Sequence, residues 1–338
     1  MQDAPLGVAV VGAGYWGPNL VRNFSASQEW SVRGVVERDP ERLERILRLY
    51  PFIRGYSEID AVLADPNVDA IALATPPQTH HELALRAIGA KKHVLVEKPL
   101  TERSADADDL CAHAARAGVV LMTDHTFLYT GSVEKLRALR TSGELGSVYY
   151  IDSTRVNLGL FQESNVVWDL APHDISIINY VLEEIPASVA LQLNACVHQT
   201  IPDVAFLTMW YPGGCLAHVH LSWLSPVKVR RTMIAGSLKM AVWDDVEPTE
   251  KIYIYDKGVV LDPSSKTLQQ QMVSYRLGDL HVPLVDNREA LGKLAADFAL
   301  AIRSGSPTRS DGTFGAAVVR VIEAALRSAD LGGAKVDV

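Results

Sequence analysis

A chain of 338 residues is longer than one hydrophobic core usually spans, so two domains are expected. Its 48% hydrophobic and 21% charged residues are those of an ordinary globular protein, and a net charge of −8 argues against broad binding to nucleic acid or to an anionic membrane. Cys111, Cys196 and Cys215 are too few and too scattered for a disulfide framework, and no apolar run approaches the roughly 20 residues of a membrane span. No secretory leader is visible, because the first apolar run is broken by Gly12 and Gly14; a reducing, cytoplasmic setting is expected.

The chain opens with a short β-prone run, 6–11, followed at once by Gly12-x-Gly14-x-x-Gly17 and a helix-like 19–24. In such a loop the first glycine permits the tight turn, the second lets the backbone approach a pyrophosphate, and the third allows close helix–strand packing. The diphosphate then sits on the helix N-terminus. A second strand, 31–36, ends in Glu37, an acid placed to accept the ribose hydroxyls of a dinucleotide. Glu37 favours NAD over NADP, since a carboxylate repels a 2′-phosphate, while the neighbouring Arg38 keeps NADP open.

Alternation continues. Leu43, Ile46, Leu47 and Tyr50 mark a helical face, 58–63 a short helix, and 68–74 an apolar strand ending at Thr75-Pro76-Pro77. Thr79-His80-His81-Glu82 predicts a capping box that starts a helix to residue 90. The strand Val94-Leu95-Val96 then delivers Glu97 and Lys98, and Pro99 stops the pairing, which puts Lys98 at the carboxyl edge of a sheet. A helix over 104–117 and a strand over 119–122 complete a doubly wound parallel sheet of the Rossmann type, whose rim carries Gly12, Glu37, Thr75, Lys98 and His125.

From residue 147 the pattern changes. Strand-like runs at 148–157, 187–197, 203–211, 215–224, 229–235, 239–243 and 251–255 are joined by tight turns, which predicts a large, mostly antiparallel sheet. Helical stretches at 168–182, 288–304 and 313–328 are expected to cover one face of it, an α+β arrangement. The expected domains are 1–124 for the dinucleotide and 125–338 for substrate and oligomerisation, with the last helix able to pack back on the first domain. Cys215, His218 and His220 show no further ligand pattern; a sheet face explains them and no metal is expected.

In Trp168-Asp169-Leu170-Ala171-Pro172-His173, Asp169 and His173 are four apart and share a helix face, and Pro172 predicts a first helical turn. An N-cap for Asp169 and a half-buried histidine for His173 are the structural alternatives.

Together these pieces resemble the Gfo/Idh/MocA family of NAD(P)-dependent oxidoreductases: the glycine loop, Ala74-Thr75-Pro76 with His80, Glu97-Lys98-Pro99, Ser142-Gly143-Glu144-Leu145-Gly146, Ser310-Asp311-Gly312 and the Asp-x-x-x-His run, where Ala171 replaces a common glycine. The resemblance implies an NAD-dependent enzyme acting on a secondary hydroxyl or ketone of a sugar ring. It implies Lys98, Asp169 and His173 as the catalytic trio. The cofactor set would be Gly12, Gly14, Tyr15, Trp16, Gly17, Glu37, Arg38, Thr75, Pro76, His80, Glu97 and Lys98. His173 has the intrinsic pKa of a base near neutrality, Lys98 can stabilise a developing alkoxide, and Asp169 can orient a hydroxyl or the other two groups. Tyr129, Arg155, Asn157 and Trp168 are the further substrate candidates, with the loop Leu158-Gly159-Leu160-Phe161-Gln162 leading into the catalytic helix. Similarity of this loop and helix to nucleotide-sugar enzymes suggests the 3-position of a nucleotide-linked hexose or uronic acid. An inositol or free-sugar dehydrogenase, or an NAD-dependent glycoside hydrolase or lyase, are the alternatives. Homodimers or homotetramers through the second sheet are expected.

Overall fold

The structure, a computed structural model, describes residues 4–159, 164–261 and 273–338. Its backbone contacts divide the chain into two units: the first holds the chain to Tyr129 together with Arg288–Arg320, the second Thr130–Asn287 and Val321–Val338.

The first unit is built on six parallel strands: β1 (Leu6–Val11), β2 (Trp30–Val36), β3 (Arg54–Tyr56), β4 (Ala70–Leu73), β5 (His93–Glu97) and β6 (Leu121–Asp124). They lie in the order β3-β2-β1-β4-β5-β6, so the direction of winding reverses between β1 and β4. That reversal opens a crevice at the strands' carboxyl ends, the usual place for a ligand in such sheets. Val8, Ala9, Val10, Ile71, Ala72, Leu73, Val94, Leu95 and Val96 are fully buried, as expected of strands covered on both faces. The connecting helices are α1 (Gly17–Ala26), α2 (Pro40–Leu49), α3 (Asp60–Leu63), α4 (His80–Gly89) and α5 (Ser104–Ala117).

The carboxyl-terminal part of this unit seals it. From α8 (Ala290–Ser304), Phe298 stacks on Trp30 with centroids 5.4 Å apart, and the Trp30 indole donates to the Ala295 carbonyl at 2.8 Å. Ser310 pairs with the outer strand β6: the Thr123 amide donates to the Ser310 carbonyl at 2.8 Å, and the Ser310 hydroxyl donates to the Thr123 carbonyl at 2.7 Å.

The predicted capping box does not form. A 3₁₀ turn, Pro77–Thr79, precedes α4, and the Thr79 hydroxyl bonds back to Thr75 Oγ1 and the Pro76 carbonyl instead of forward into the helix.

The second unit carries a nine-stranded sheet, with α6 (Gly131–Thr141) before it. Its strands are β7 (Val148–Leu158), β8 (Ser188–Asn194), β9 (Val204–Trp210), β10 (Leu216–Ser222), β11 (Leu224–Gly236), β12 (Met240–Asp244), β13 (Ile252–Leu261), β14 (Val273–His281) and the short β15 (Val336–Asp337), in the order β14-β13-β12-β11-β7-β10-β9-β8-β15. All pairs are antiparallel except β7 with β10, which is parallel. α7 (Val166–Leu182) packs on one face, where Ile151, Ala205, Leu207, Val219 and Leu221 are buried. The last helix, α9 (Gly312–Asp330), begins in the first unit and ends in the second. Among the described residues no helix is long and apolar enough to cross a membrane.

Pro172 lies inside α7 and not in its first turn. The helix starts earlier than the proline suggests because Asn165 caps it, its side chain accepting from the Val167 and Trp168 amides at 3.0 and 3.1 Å. Asp169 is the residue in the first turn.

Candidate active site

The glycine loop has the geometry that its spacing predicts. Gly12 takes φ +94°, a left-handed conformation, and a Cβ there would lie 2.6 Å from the Ala74 carbonyl oxygen. A Cβ on Gly17 would lie 2.0 Å from the Gly12 carbonyl oxygen, so any side chain would push α1 off the turn. α1 has no side-chain N-cap; Pro18 brings no amide N–H to its first turn, and the Asn19 and Leu20 amides donate to the Trp16 carbonyl, so a diphosphate would rest on the glycine loop at the helix's positive end. Glu37 closes the loop from the end of β2: Oε2 accepts the Ala13 amide at 2.6 Å and Oε1 the Asp39 amide at 3.0 Å. Each oxygen keeps acceptor capacity for a ribose hydroxyl. Tyr15 and Arg38 are exposed beside it, and Gly14 has only the Arg42 guanidinium near its open side. These residues fit a dinucleotide.

Further along the rim, Thr75 and Pro76 follow β4, and His80 is fully buried behind them. Its Nδ1 lies 2.9 Å from the Pro99 carbonyl oxygen and its Nε2 2.9 Å from that of Thr75, so the ring ties the loops after β4 and β5 together. Burial lowers its pKa, and the two carbonyls oppose that shift. His80 therefore supports these two loops from behind.

Glu97 and Lys98 end β5. Glu97 pairs in register with Asp124 on β6, and their carboxyls are hydrogen-bonded. Asp124 also accepts the Trp16 indole N–H on Oδ2 at 3.1 Å and the Thr126 hydroxyl on Oδ1 at 2.5 Å. Burial raises the pKa of both acids, that of Glu97 further because Asp124 stands beside it, while the Lys98 charge pulls both down. The next residue, His125, is buried against Phe314, and neither ring nitrogen has a hydrogen-bond partner among the described residues. Burial first, and the Lys98 charge second, push its pKa down to about 3. Lys98 thus stands among an acid pair and a neutral imidazole.

In the second unit, Asp169 and His173 are one turn apart on α7, both half-buried, with Trp168 beside them. The Trp223 indole donates to Asp169 Oδ2 at 3.0 Å and fixes that carboxylate. Trp223 lies between β10 and β11 and is itself buried; a Cβ on Gly159 would lie 2.8 Å from its ring and 3.4 Å from Asn157 Oδ1, so Asn157, Gly159 and Trp223 pack together. Residues 160–162 of the predicted substrate loop lie outside the described residues.

Two predicted substrate contacts are corrected. Tyr129 has no exposed surface; its hydroxyl donates to Asp297 at 2.8 Å, and burial together with that acid raises its pKa well above the ordinary phenol range. Arg155 points into the unit instead of to the rim, with Nε 2.5 Å from Asp174 Oδ2 and both side chains buried. Ser153 completes this cluster, donating to Asp174 Oδ1 at 2.7 Å. The pair anchors α7 on β7 immediately after His173.

Asp124, Thr126 and Trp223 were not among the predicted site residues. Asp124 had one signal, its place at the carboxyl end of a strand; Trp223 had none, being joined to Asp169 only by the fold.

Comparison with known proteins agrees with this geometry. Residues 6–125 match the oxidoreductase family's NAD-binding Rossmann fold, and residues 133–242 match the Gfo/Idh/MocA C-terminal domain. UDP-N-acetylglucosamine 3-dehydrogenase from Acidithiobacillus ferrooxidans is 27% identical over 325 residues, 94% of each chain. A solved structure of UDP-N-acetylglucosamine 3-dehydrogenase from that organism is 25% identical with a TM-score of 0.79, covering 96% of this chain and 98% of the other. A 2,7-anhydro-N-acetylneuraminate hydratase from Escherichia coli is 29% identical over 224 residues, 62% of this chain and 59% of that protein. With an NAD-binding sheet and the family's second domain both matched, the chain belongs to the Gfo/Idh/MocA family of NAD-binding oxidoreductases.

Proposed function

We propose that the protein transfers a hydride between NAD and a ring secondary hydroxyl of a sugar, at the 3-position of a nucleotide-linked hexose or uronic acid. The observation that carries the chemistry is the start of α7, where the Trp223 indole donates to Asp169 and His173 follows one turn later. The similarity to a nucleotide-sugar 3-dehydrogenase over nearly the whole chain supports the substrate class.

Gly12, Gly14, Gly17 and the start of α1 would hold the diphosphate, Glu37 the adenosine ribose, and Thr75 and Pro76 the rim near the nicotinamide. Bound NAD supplies the hydride acceptor. The chain's own groups then have two tasks, removing the hydroxyl proton and stabilising the charge that develops on its oxygen. His173 takes the proton in the direction of oxidation and returns it in reduction. Lys98 donates to the same oxygen as alkoxide character grows, a contact strengthened where water is excluded. Asp169, its carboxylate engaged by the Trp223 indole, orients a neighbouring substrate hydroxyl.

The test is turnover of UDP-N-acetylglucosamine, a UDP-uronic acid and myo-inositol with NAD, followed by absorbance of the reduced nicotinamide. For whichever is used, Lys98→Met should lower kcat by about 10²–10⁴-fold. Near-intact turnover by that variant would remove Lys98 from the mechanism. A second reading, a lyase or hydrolase that oxidises only transiently, is favoured by the hydratase relative; it predicts product without net accumulation of NADH.

We also infer a homodimer or homotetramer through the face of the second sheet that lies opposite α7. There Tyr150, Leu216 and Phe206 are exposed beside His218 and His220, with Phe206 stacked on His220 at 4.6 Å. Light scattering at micromolar concentration decides it; a monomer would be the contrary result.

A further inference from the structure

Glu97 and Asp124 face each other in register on β5 and β6, and their carboxyls are hydrogen-bonded. Two carboxyl groups are held in contact away from water only if a proton lies between them. The surrounding donors decide which group carries it. Asp124 accepts the Trp16 indole on one oxygen and the Thr126 hydroxyl on the other, so its two oxygens are already committed as acceptors. The Glu97 carboxyl accepts the Lys98 backbone amide, a single donor against the two on Asp124, and its side-chain hydrogen bond is to Asp124, so it keeps an oxygen to carry the proton.

We propose that Glu97 works as a protonated carboxylic acid donating to an Asp124 carboxylate, and that this singly charged pair positions the glycine-rich loop and Lys98 together. The link to the loop is direct, because Trp16 stands between Gly14 and Gly17 and its indole N–H donates to Asp124. The link to Lys98 is electrostatic: its charge acts on both acids and on His125. One negative charge beside Lys98 fixes the ammonium while neutralising it less than two would, which leaves more of its charge for a substrate oxygen. Glu97 and Asp124 are thus positioning residues. The proton count stands by itself, and only its purpose rests on the reading of Lys98 as catalytic.

Infrared difference spectroscopy at neutral pH tests the proton directly. The wild-type protein should show the carbonyl stretch of a protonated carboxylic acid that is absent from Glu97→Gln. No such difference, or a band that survives in Glu97→Gln, overturns the assignment. Calorimetric titration with NAD tests the link to the loop. Asp124→Asn should raise the Kd at least tenfold, and more than Glu97→Gln does, because it removes both the charge and an acceptor. Should Asp124→Asn fail to fold, Trp16→Phe, which keeps the bulk and loses the indole N–H, should raise the Kd at least threefold. A wild-type Kd in whichever variant is measured overturns the link. Loss of the catalytic reading by Lys98→Met would leave the infrared result standing, so the two failures are distinguishable.

Discussion

Acid should destabilise this protein through His125, and the size of the effect follows from where the ring sits. The side chain is buried edge-on to Phe314, with ring centroids 5.7 Å apart, and its pKa falls from 6.5 to about 3. A histidine kept neutral by the fold contributes stability that is complete above its unfolded pKa and is lost as pH falls toward its folded one. At pH 5 the unfolded chain has bound the proton and the folded one has not. That gap of roughly 1.5 pH units, at about 1.36 kcal/mol each, comes to about 2 kcal/mol. The figure depends almost entirely on the unfolded pKa, provided that the folded value lies below about 4. His80 and His93, whose pKa values are also lowered by burial, act in the same direction, so the measurement must be a difference. Urea unfolding of the wild type and of His125→Phe at pH 7 and pH 5 provides it, since phenylalanine keeps a ring against Phe314. Between the two pH values the wild type should lose about 2 kcal/mol more than the variant. Equal losses would refute the reasoning, and so would a folded-state NMR titration of the His125 ring with a midpoint near 6.5.

Arg155→Met should cost about 3–5 kcal/mol in denaturant unfolding, because it strands the buried Asp174 carboxylate; replacing both partners by apolar residues should recover most of that. Glu37→Ser should shift the NADP/NAD ratio of kcat/KM upward at least tenfold in steady-state assays, by removing the carboxylate that repels a 2′-phosphate while Arg38 and Arg42 remain nearby. Trp223→Phe deletes one donor to Asp169 and should lower kcat about tenfold, with the KM for NAD nearly constant; a change in NAD affinity alone would place Trp223 elsewhere in the cycle.

The first unit was the more legible half, because its signals are local. Gly12, Gly14 and Gly17 are needed for backbone reasons that hold wherever a strand turns into a helix over a diphosphate, and Glu37 follows at the spacing that the next strand imposes. The sheet of the second unit was legible where one face is buried and apolar residues alternate. β14 was missed because it is an edge strand: Tyr275, Leu277 and Leu280 are exposed, so nothing alternates. The orientation of single side chains was beyond local patterns. Arg155 and Tyr129 sit in promising places along the chain, yet both point inward, since each has a carboxylate partner from a distant segment. Trp223 and Asp169 are 54 positions apart, and Trp16 and Asp124 are 108 apart; those contacts exist only once strands are registered.

The return of residues 288–320 to the first unit has a consequence for biosynthesis. Every strand of the dinucleotide sheet has been made by Asp124, yet Trp30 then lacks the Ala295 carbonyl and the Phe298 ring, and β6 lacks Ser310 along its outer edge. The domain that emerges first must therefore wait through the synthesis of β7 to β14 with an exposed indole and an unpaired strand edge, the features that invite misassembly. A fragment ending at Tyr129 should aggregate on expression, and fusing residues 288–320 to it through a flexible linker should restore a cooperative melt. A cofactor site that looks like a self-contained amino-terminal module is, in the order of manufacture, finished almost last.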